Sequence, residues 1–335
     1  MQEIIRINGV VKRFKTYESG EGAFGALLGR KKKTKISLDG VSFKVDKGEI
    51  VALLGRNGSG KSTLIKLLAG ILHPDAGSIS VLGIDPFKGR VRLARQIGVV
   101  FGSTHPQLFW DLPPIDTFNY IKGMYDIPEG EFRKRLDYMV DLLSLKEVYK
   151  RQTRQLSLGE RMKCEFVCGN LHSPKLVLMD EPTVGVDLPS RIAISDAVLS
   201  LRKEMGTTFI ITTHVVDDIA NVDRIVLLDH GKLVFDGSQE KLRKLFKQTV
   251  IIELHFSGKS DSTKYAKSGK VIMDRGDYMK IEMSPEMIKQ KWFLQILNDD
   301  NVLDYRINEP GLSILLNRLY GIIDKTGEGD GALDE

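Results

Sequence analysis

The chain has 335 residues, with 42% hydrophobic and 28% charged side chains and 49 Lys and Arg against 44 Asp and Glu. These proportions exclude a disordered or collagen-like chain, and the length predicts about two domains. A net charge of +5 is too mild for a dedicated nucleic-acid binder, and two cysteines cannot build a disulfide framework, so a reducing, cytoplasmic setting is expected. The longest unbroken apolar run, Ile50–Leu54, falls far short of the roughly 20 residues that a membrane-spanning helix needs. The opening residues lack the basic stretch and apolar core of a secretory signal.

Taken in chain order, the first strand candidate runs up to Phe14. Residues 16–36 are Gly-rich and then basic, with Arg30, Lys31, Lys32, Lys33 and Lys35 clustered. They read as an insertion between two early strands, either a solvated loop or a segment placed near anionic headgroups. Short apolar runs follow at Ile50–Leu54, Leu176–Met179, Phe209–Ile211 and Ile225–Leu228, each bounded by Gly, Asp or Thr. They suit buried strands of a mostly parallel sheet. Longer segments between them, such as Ile192–Met205, have helical spacing, so an α/β domain is expected over residues 1–247. Beyond it, strands are predicted at Val250–Phe256, Val271–Met273, Tyr278–Met283 and Val302–Ile307. Helices are predicted at Pro285–Leu297 and Leu312–Ile323. Residues 248–325 therefore read as a small α+β domain. The acidic, glycine-containing stretch 326–335 reads as an unstructured tail.

Gly55-Arg-Asn57-Gly58-Ser59-Gly60-Lys61-Ser62-Thr63 fits G-x-x-x-x-G-K-[ST], after an apolar strand and before a helix pattern. Glycines there let backbone N–H groups curl round phosphate oxygens, and the helix N-terminus adds positive potential. Lys61 is placed to reach the β- and γ-phosphates and Ser62 to ligate Mg²⁺. The strand Leu176–Met179 ends in Asp180 and Glu181. Asp180 fits the holding of Mg²⁺, and Glu181 fits a base that polarises an attacking water. Leu156-Ser157-Leu158-Gly159-Glu160-Arg161 precedes another helix pattern. It reads either as an anion-facing N-terminus or as an ordinary N-cap with Glu160 at the third position.

Together these motifs resemble an ATP-binding-cassette (ABC) ATPase subunit over residues 4–245. Gly55–Thr63 is similar to its Walker A loop, Leu156–Arg161 to its signature motif, and Leu176–Glu181 to its Walker B strand with the catalytic Glu. Asp187 is similar to the D-loop acid and His214 to the switch histidine. The resemblance implies a P-loop NTPase fold with a β-subdomain and a helical subdomain. It implies ATP and Mg²⁺ as ligands, and catalytic roles for Glu181, His214 and Lys61. Phe14 takes the place of the aromatic that stacks on adenine, with Tyr17 in reserve. Ser157 and Gly159 would bind the nucleotide held by a second copy of the chain. Two positions depart from the family pattern. Leu158 and Glu160 stand where Gly and Gln are usual, and Gly102-Ser103 stands where the Q-loop glutamine is expected, leaving Gln107 as the candidate.

The early basic insertion, the signature wording, the segment Phe109–Pro113 and the C-terminal appendage narrow the likeness to drug-exporter-like (type-2) ABC ATPases, while the insertion and the wording of Gly55–Gly60 are also similar to polysaccharide-exporting relatives. That implies separately encoded membrane permease subunits, a homodimer across ATP, no nucleic-acid partner, and a peripheral place on the inner face of the membrane. The rival readings are a soluble ABC ATPase acting on nucleic acid or ribosomes, and a regulatory module. Leu108, Phe109 and Trp110 are the expected dock for a permease helix. Cys164, Cys168 and His172 share a helix face, but a straight helix spreads i and i+8 about 12 Å apart. That is too far for one zinc ion.

Overall fold

The computed structural model describes residues 2–18, 31–102, 106–213, 222–246, 249–259, 269–290, 293, 294, 296, 298–310, 314–316 and 318–321. It divides into two compact units, which meet in sequence at Gly237 and Ser238.

The first unit holds two sheets. Strands β1 (Glu3–Glu18) and β2 (Lys31–Asp46) pair antiparallel, and β4 (Ala76–Val81) joins the free edge of β1. The insertion expected at 16–36 is thus shorter than the sequence implied. Its two ends are strand, in register down to Glu18 opposite Lys31. Residues 19–30 lie outside the described residues.

The second sheet has the order β5-β6-β7-β3-β8-β9. Its members are β3 (Ile50–Leu54), β5 (Ile97–Phe101), β6 (Leu176–Asp180), β7 (Thr208–Thr213), β8 (Arg224–Asp229) and β9 (Lys232–Gly237). The pairs from β5 to β8 are parallel, and β9 is antiparallel. Every residue of β3 and β7 is buried, as expected of continuous apolar runs covered on both faces.

Helix α1 (Lys61–Leu68) buries Leu64, Ile65, Leu67 and Leu68 in a core cluster shared with Ile5, Val10 and Leu38 of the small sheet and Leu53 and Leu178 of the large one. Each such side chain contributes roughly 1.5–3 kcal/mol by leaving water. Around the sheet stand α2 (Arg90–Ala94), α3 (Pro114–Met124), α4 (Glu129–Leu142), α5 (Leu158–Asn170) and α6 (Leu188–Met205).

The second unit begins with α7 (Gln239–Leu245), earlier than the boundary expected at residue 247. The reason is packing. Leu242 is fully buried, and Arg243 donates to Glu309 at 3.0 Å and to the Pro310 carbonyl at 3.1 Å. Strands β10 (Val250–Phe256), β11 (Lys270–Asp274) and β12 (Tyr278–Met283) follow. Helix α8 (Pro285–Ile288) and strand β13 (Val302–Asn308) complete an antiparallel sheet of order β11-β12-β10-β13. The alternation Ile252, Leu254 and Phe256 faces a core with Met279, Ile281, Phe293 and Ile296. The helix expected over 285–297 is broken: α8 ends at Ile288, and helical backbone recurs at 293, 294 and 296. Of the final predicted helix, 314–316 and 318–321 are helical. The acidic tail lies outside the described residues.

Candidate nucleotide site

The parallel sheet carries its functional side chains at the C-terminal ends of its strands, where an open α/β sheet leaves a crevice. A cleft of about 670 Å³ opens there. It is lined by Asn57, Gly58, Gly60, Lys61, Ser62 and Thr63 of the loop after β3, by Asp180 and Glu181 at the end of β6, and by Phe14 at its rim. One cavity therefore unites residues far apart in the sequence.

Gly60 caps α1 with φ 108°, a left-handed backbone that glycine adopts without strain. A side chain there would come within 2.6 Å of Ser37 and Leu38 atoms, so the loop passes tight against β2. Lys61 is buried, and its ammonium donates to the carbonyls of Gly55 at 2.7 Å and Arg56 at 3.1 Å. Burial pulls its pKa below the usual lysine value, while the Glu181 and Asp180 carboxylates oppose that shift. The loop thus holds a cation in its own curl, poised for an anion.

Ser62 Oγ donates to Asp180 Oδ1 at 3.1 Å. A hydroxyl and a carboxylate meeting at the cleft are the hard oxygen donors that Mg²⁺ accepts, so these residues fit that ion. Thr212 Oγ1 donates to the same Asp180 oxygen at 2.7 Å. The Glu181 N–H donates to Thr212 Oγ1 at 2.8 Å, and Glu181 sits at φ 52°. Thr212 is fully buried and stands opposite Asp180 in the β6–β7 register. It therefore holds the Asp180 carboxylate and the backbone that carries Glu181. Sequence reading missed it; the available signal was a pair of hydroxyl residues, Thr212-Thr213, ending an otherwise apolar strand. Lys35 and Ser37 of β2 also line the cleft unannounced, with Ser37 Oγ 2.8 Å from Thr63 Oγ1.

Ser59 and Gly55 shape the loop beneath the cleft. Ser59 Oγ is buried without a hydrogen-bond partner among the described residues, and a side chain at Gly55 would run into Ser59 Oγ and the Leu228 carbonyl. Lys12 Nζ lies 5.6 Å from the Phe14 ring centroid.

Gln107 does not line the cleft. Its side-chain Nε2 donates to the Val99 carbonyl at 2.6 Å. Gly102, at the position where a glutamine was expected, does line it. The Gly102 N–H donates to the Asp180 carbonyl at 2.8 Å. A β-carbon there would lie 2.8 Å from the Glu181 carbonyl, so the close approach of the two strand ends accounts for the glycine.

Ser157 and Gly159 are also absent from the lining of this cleft. Ser157 is exposed and caps α5 through a full capping box. Its hydroxyl accepts from the Glu160 N–H at 3.2 Å, and its own N–H donates to Glu160 Oε2 at 2.8 Å. Gly159 is buried against Asp187 and Ser190. Asp187 caps α6 by accepting from the Ser190 N–H at 3.1 Å, which holds its carboxyl below the usual range. His214 lies outside the described residues.

The profile of the ABC transporter family matches residues 38–184. The linearmycin resistance ATP-binding protein LnrL of Bacillus subtilis is 30% identical, over 86% of this chain and 94% of its own length. The chain belongs to the ABC transporter ATP-binding family. The ABC transporter G family member 20 of Dictyostelium discoideum is 32% identical over 66% of this chain, which spans only 30% of that protein. Among solved structures, cbiO1 of Clostridium perfringens, part of the ABC transporter complex cbiONQ, aligns at a TM-score of 0.59 with 26% identity, over 73% of this chain and 95% of its own. The cassette fold and the drug-resistance relative agree with the resemblance read from the motifs.

One side-chain expectation changes. Leu108 is buried, so the exposed apolar segment consists of Phe109, Trp110 and Leu112, with Tyr120 and Met124 of α3 nearby in sequence. Leu108 turns inward because its N–H is held by the buried Glu165 of α5. In the Cys164, Cys168 and His172 group, both thiols are buried. The imidazole bonds to the Ile97 carbonyl at 2.9 Å and stacks on Tyr125.

Proposed function

We propose that this chain hydrolyses ATP as the motor subunit of an exporter whose permease subunits are separate polypeptides on the membrane. The observation that carries this reading is the convergence of Lys61, Ser62, Asp180 and Glu181 on one cleft. Lys61 and the loop N–H groups hold the phosphates. Glu181 orients and takes a proton from the attacking water, with His214 assigned to the γ-phosphate side. Mg²⁺, when held by Ser62 and Asp180, supplies charge neutralisation on the phosphate oxygens. Phe14 offers a face to the base.

Ser157 is exposed and stands outside its own cleft, which supports its use by a second copy. In that arrangement the α5 N-terminus of one chain faces the nucleotide of the other, and Asp187 lies beside it. The exposed Phe109, Trp110 and Leu112 support a dock for an apolar permease helix on the cytoplasmic side.

Glu181→Gln tests the reading. The purified variant should still bind ATP, should accumulate as an ATP-dependent dimer on size exclusion, and should turn over about a hundredfold slower or worse. Turnover equal to that of the parent chain would remove Glu181 from the chemistry.

A further inference from the structure

Glu165 lies two turns into α5, 3% exposed among Cys164, Phe166, Val167 and Cys168. A carboxylate in such surroundings costs several kcal/mol unless something compensates it. Among the described residues, every hydrogen bond of its side chain goes to one place. It accepts the Gln107 N–H at 2.9 and 3.1 Å and the Leu108 N–H at 3.1 Å. The next N–H along, that of Phe109, donates to Thr117 Oγ1 at 3.0 Å. One turn before Glu165, the Arg161 guanidinium lies 5.2 Å from the Trp110 ring centroid. The carbonyls of Trp110 and Leu112 accept from Arg154 and Thr153, residues leading into α5. The segment carrying Phe109, Trp110 and Leu112 is therefore strung along the same helix that Ser157 caps.

We infer that Glu165 is a positioning residue that ties the exposed apolar segment 109–112 to α5, so that a displacement of α5 on ATP engagement carries the segment with it. This rests on the proposed ATPase reading and adds to it the residue that transmits nucleotide state to the docking surface. An apolar residue would fill the site without cost, but it could not accept two successive backbone N–H groups. Burial pushes the Glu165 carboxyl up to about 7, against the lowering effect of the Leu108 and Gln107 N–H donors and the Arg161 charge. The other titratable groups facing it are the thiols of Cys164 and Cys168, both held protonated by burial.

The test uses the full chain carrying Trp292→Phe, which leaves Trp110 as its single tryptophan. ATP with Mg²⁺ should change Trp110 emission in this chain. Adding Glu165→Ala should speed amide exchange at Gln107 and Leu108 by roughly tenfold or more while leaving Phe166 and Val167 protected. It should also abolish the Trp110 response, with ATP affinity by calorimetry unchanged. If the alanine variant does not fold, Glu165→Gln keeps the volume. With Glu165 intact, the Gln107 and Leu108 amide resonances should titrate near neutral pH, and Glu165→Gln should remove that titration. Unchanged amide exchange, a surviving ATP response of Trp110, or a titration that persists in Glu165→Gln would each overturn the inference. Failure of the Glu165-intact chain to bind ATP would overturn the ATPase reading itself. ATP binding with a silent Trp110 would overturn the tie alone.

Discussion

At the scale of residues, the site depends on side chains that orient other side chains. Thr212 donates to Asp180 and accepts from the Glu181 N–H, so one buried hydroxyl ties one carboxylate to the backbone of the next. Replacing it with the isosteric Val leaves Asp180 one donor short. Supporting groups of this kind commonly affect activity by about 10- to 100-fold. Thr212→Val should lower kcat by at least about tenfold with little change in KM for ATP, and Thr212→Ser should restore most of it. Equal loss in both variants would mean that packing, not the hydroxyl, matters. Glu165 has a second signature, in stability. Its folded pKa of about 7 stands above the ordinary 4.5, so between these values the folded chain holds a proton that the unfolded chain has lost. Stability contributed by this group is therefore full below pH 4.5 and falls as pH rises through 7. Glu165→Gln should gain on the parent chain by about 2–3 kcal/mol between pH 5 and pH 8 in urea titrations. A pH-independent difference would show that Glu165 ionises as a solvated carboxyl does.

At the scale of elements, the ends of strands and the starts of helices do the work. The loop after β3, the end of β6 and the end of β7 lie side by side because those strands are neighbours in register, with Asp180 opposite Thr212. Gly102, ending β5, completes the row by donating to the Asp180 carbonyl. Gly102→Ala should push the Walker B strand end aside, costing about 1–3 kcal/mol as overpacked sites do. Thermal denaturation and steady-state ATPase assays together check this; an alanine tolerated without loss in either would contradict the close approach. The motifs of the nucleotide loop and of the β6 end were readable because each is local: four fixed positions in one loop, or two acids after an apolar run. Thr212 and Gly102 were not, because each acts on a residue from a different stretch of the chain. Leu108 was misjudged for the same reason, since its burial follows from a bond to Glu165 on α5.

At the scale of the whole molecule, among the described residues the core cluster under the nucleotide loop and the core cluster of the second unit share no residue. Ligand binding stabilises the folded unit that holds the site, by about 2.7 kcal/mol at a hundredfold excess over Kd. In calorimetry, ATP should raise the unfolding transition of the first unit and leave that of the second where it was. A single transition moving as one would show that the two units unfold together. The assignment of α7 to the second unit also belongs to this scale. Nothing in Gln239–Leu245 names the core it serves, and its place follows from Leu242 and the Arg243 bonds to Glu309 and Pro310.

The sequence by itself determined the alternating strand and helix order, the nucleotide loop, the acidic strand end and the family to which these belong. Period, chain length and phosphate chemistry constrain residues that are close together in the chain. It also placed a second, smaller α+β unit after the cassette. Only the tertiary structure decided which residues lean on one another across the sheet. Thr212 beneath the two carboxylates, Gly102 against the end of β6, and Glu165 under Gln107 and Leu108 are such pairs. Each joins positions dozens of residues apart through a buried hydrogen bond or a close backbone approach, and no local pattern in the chain records such a bond.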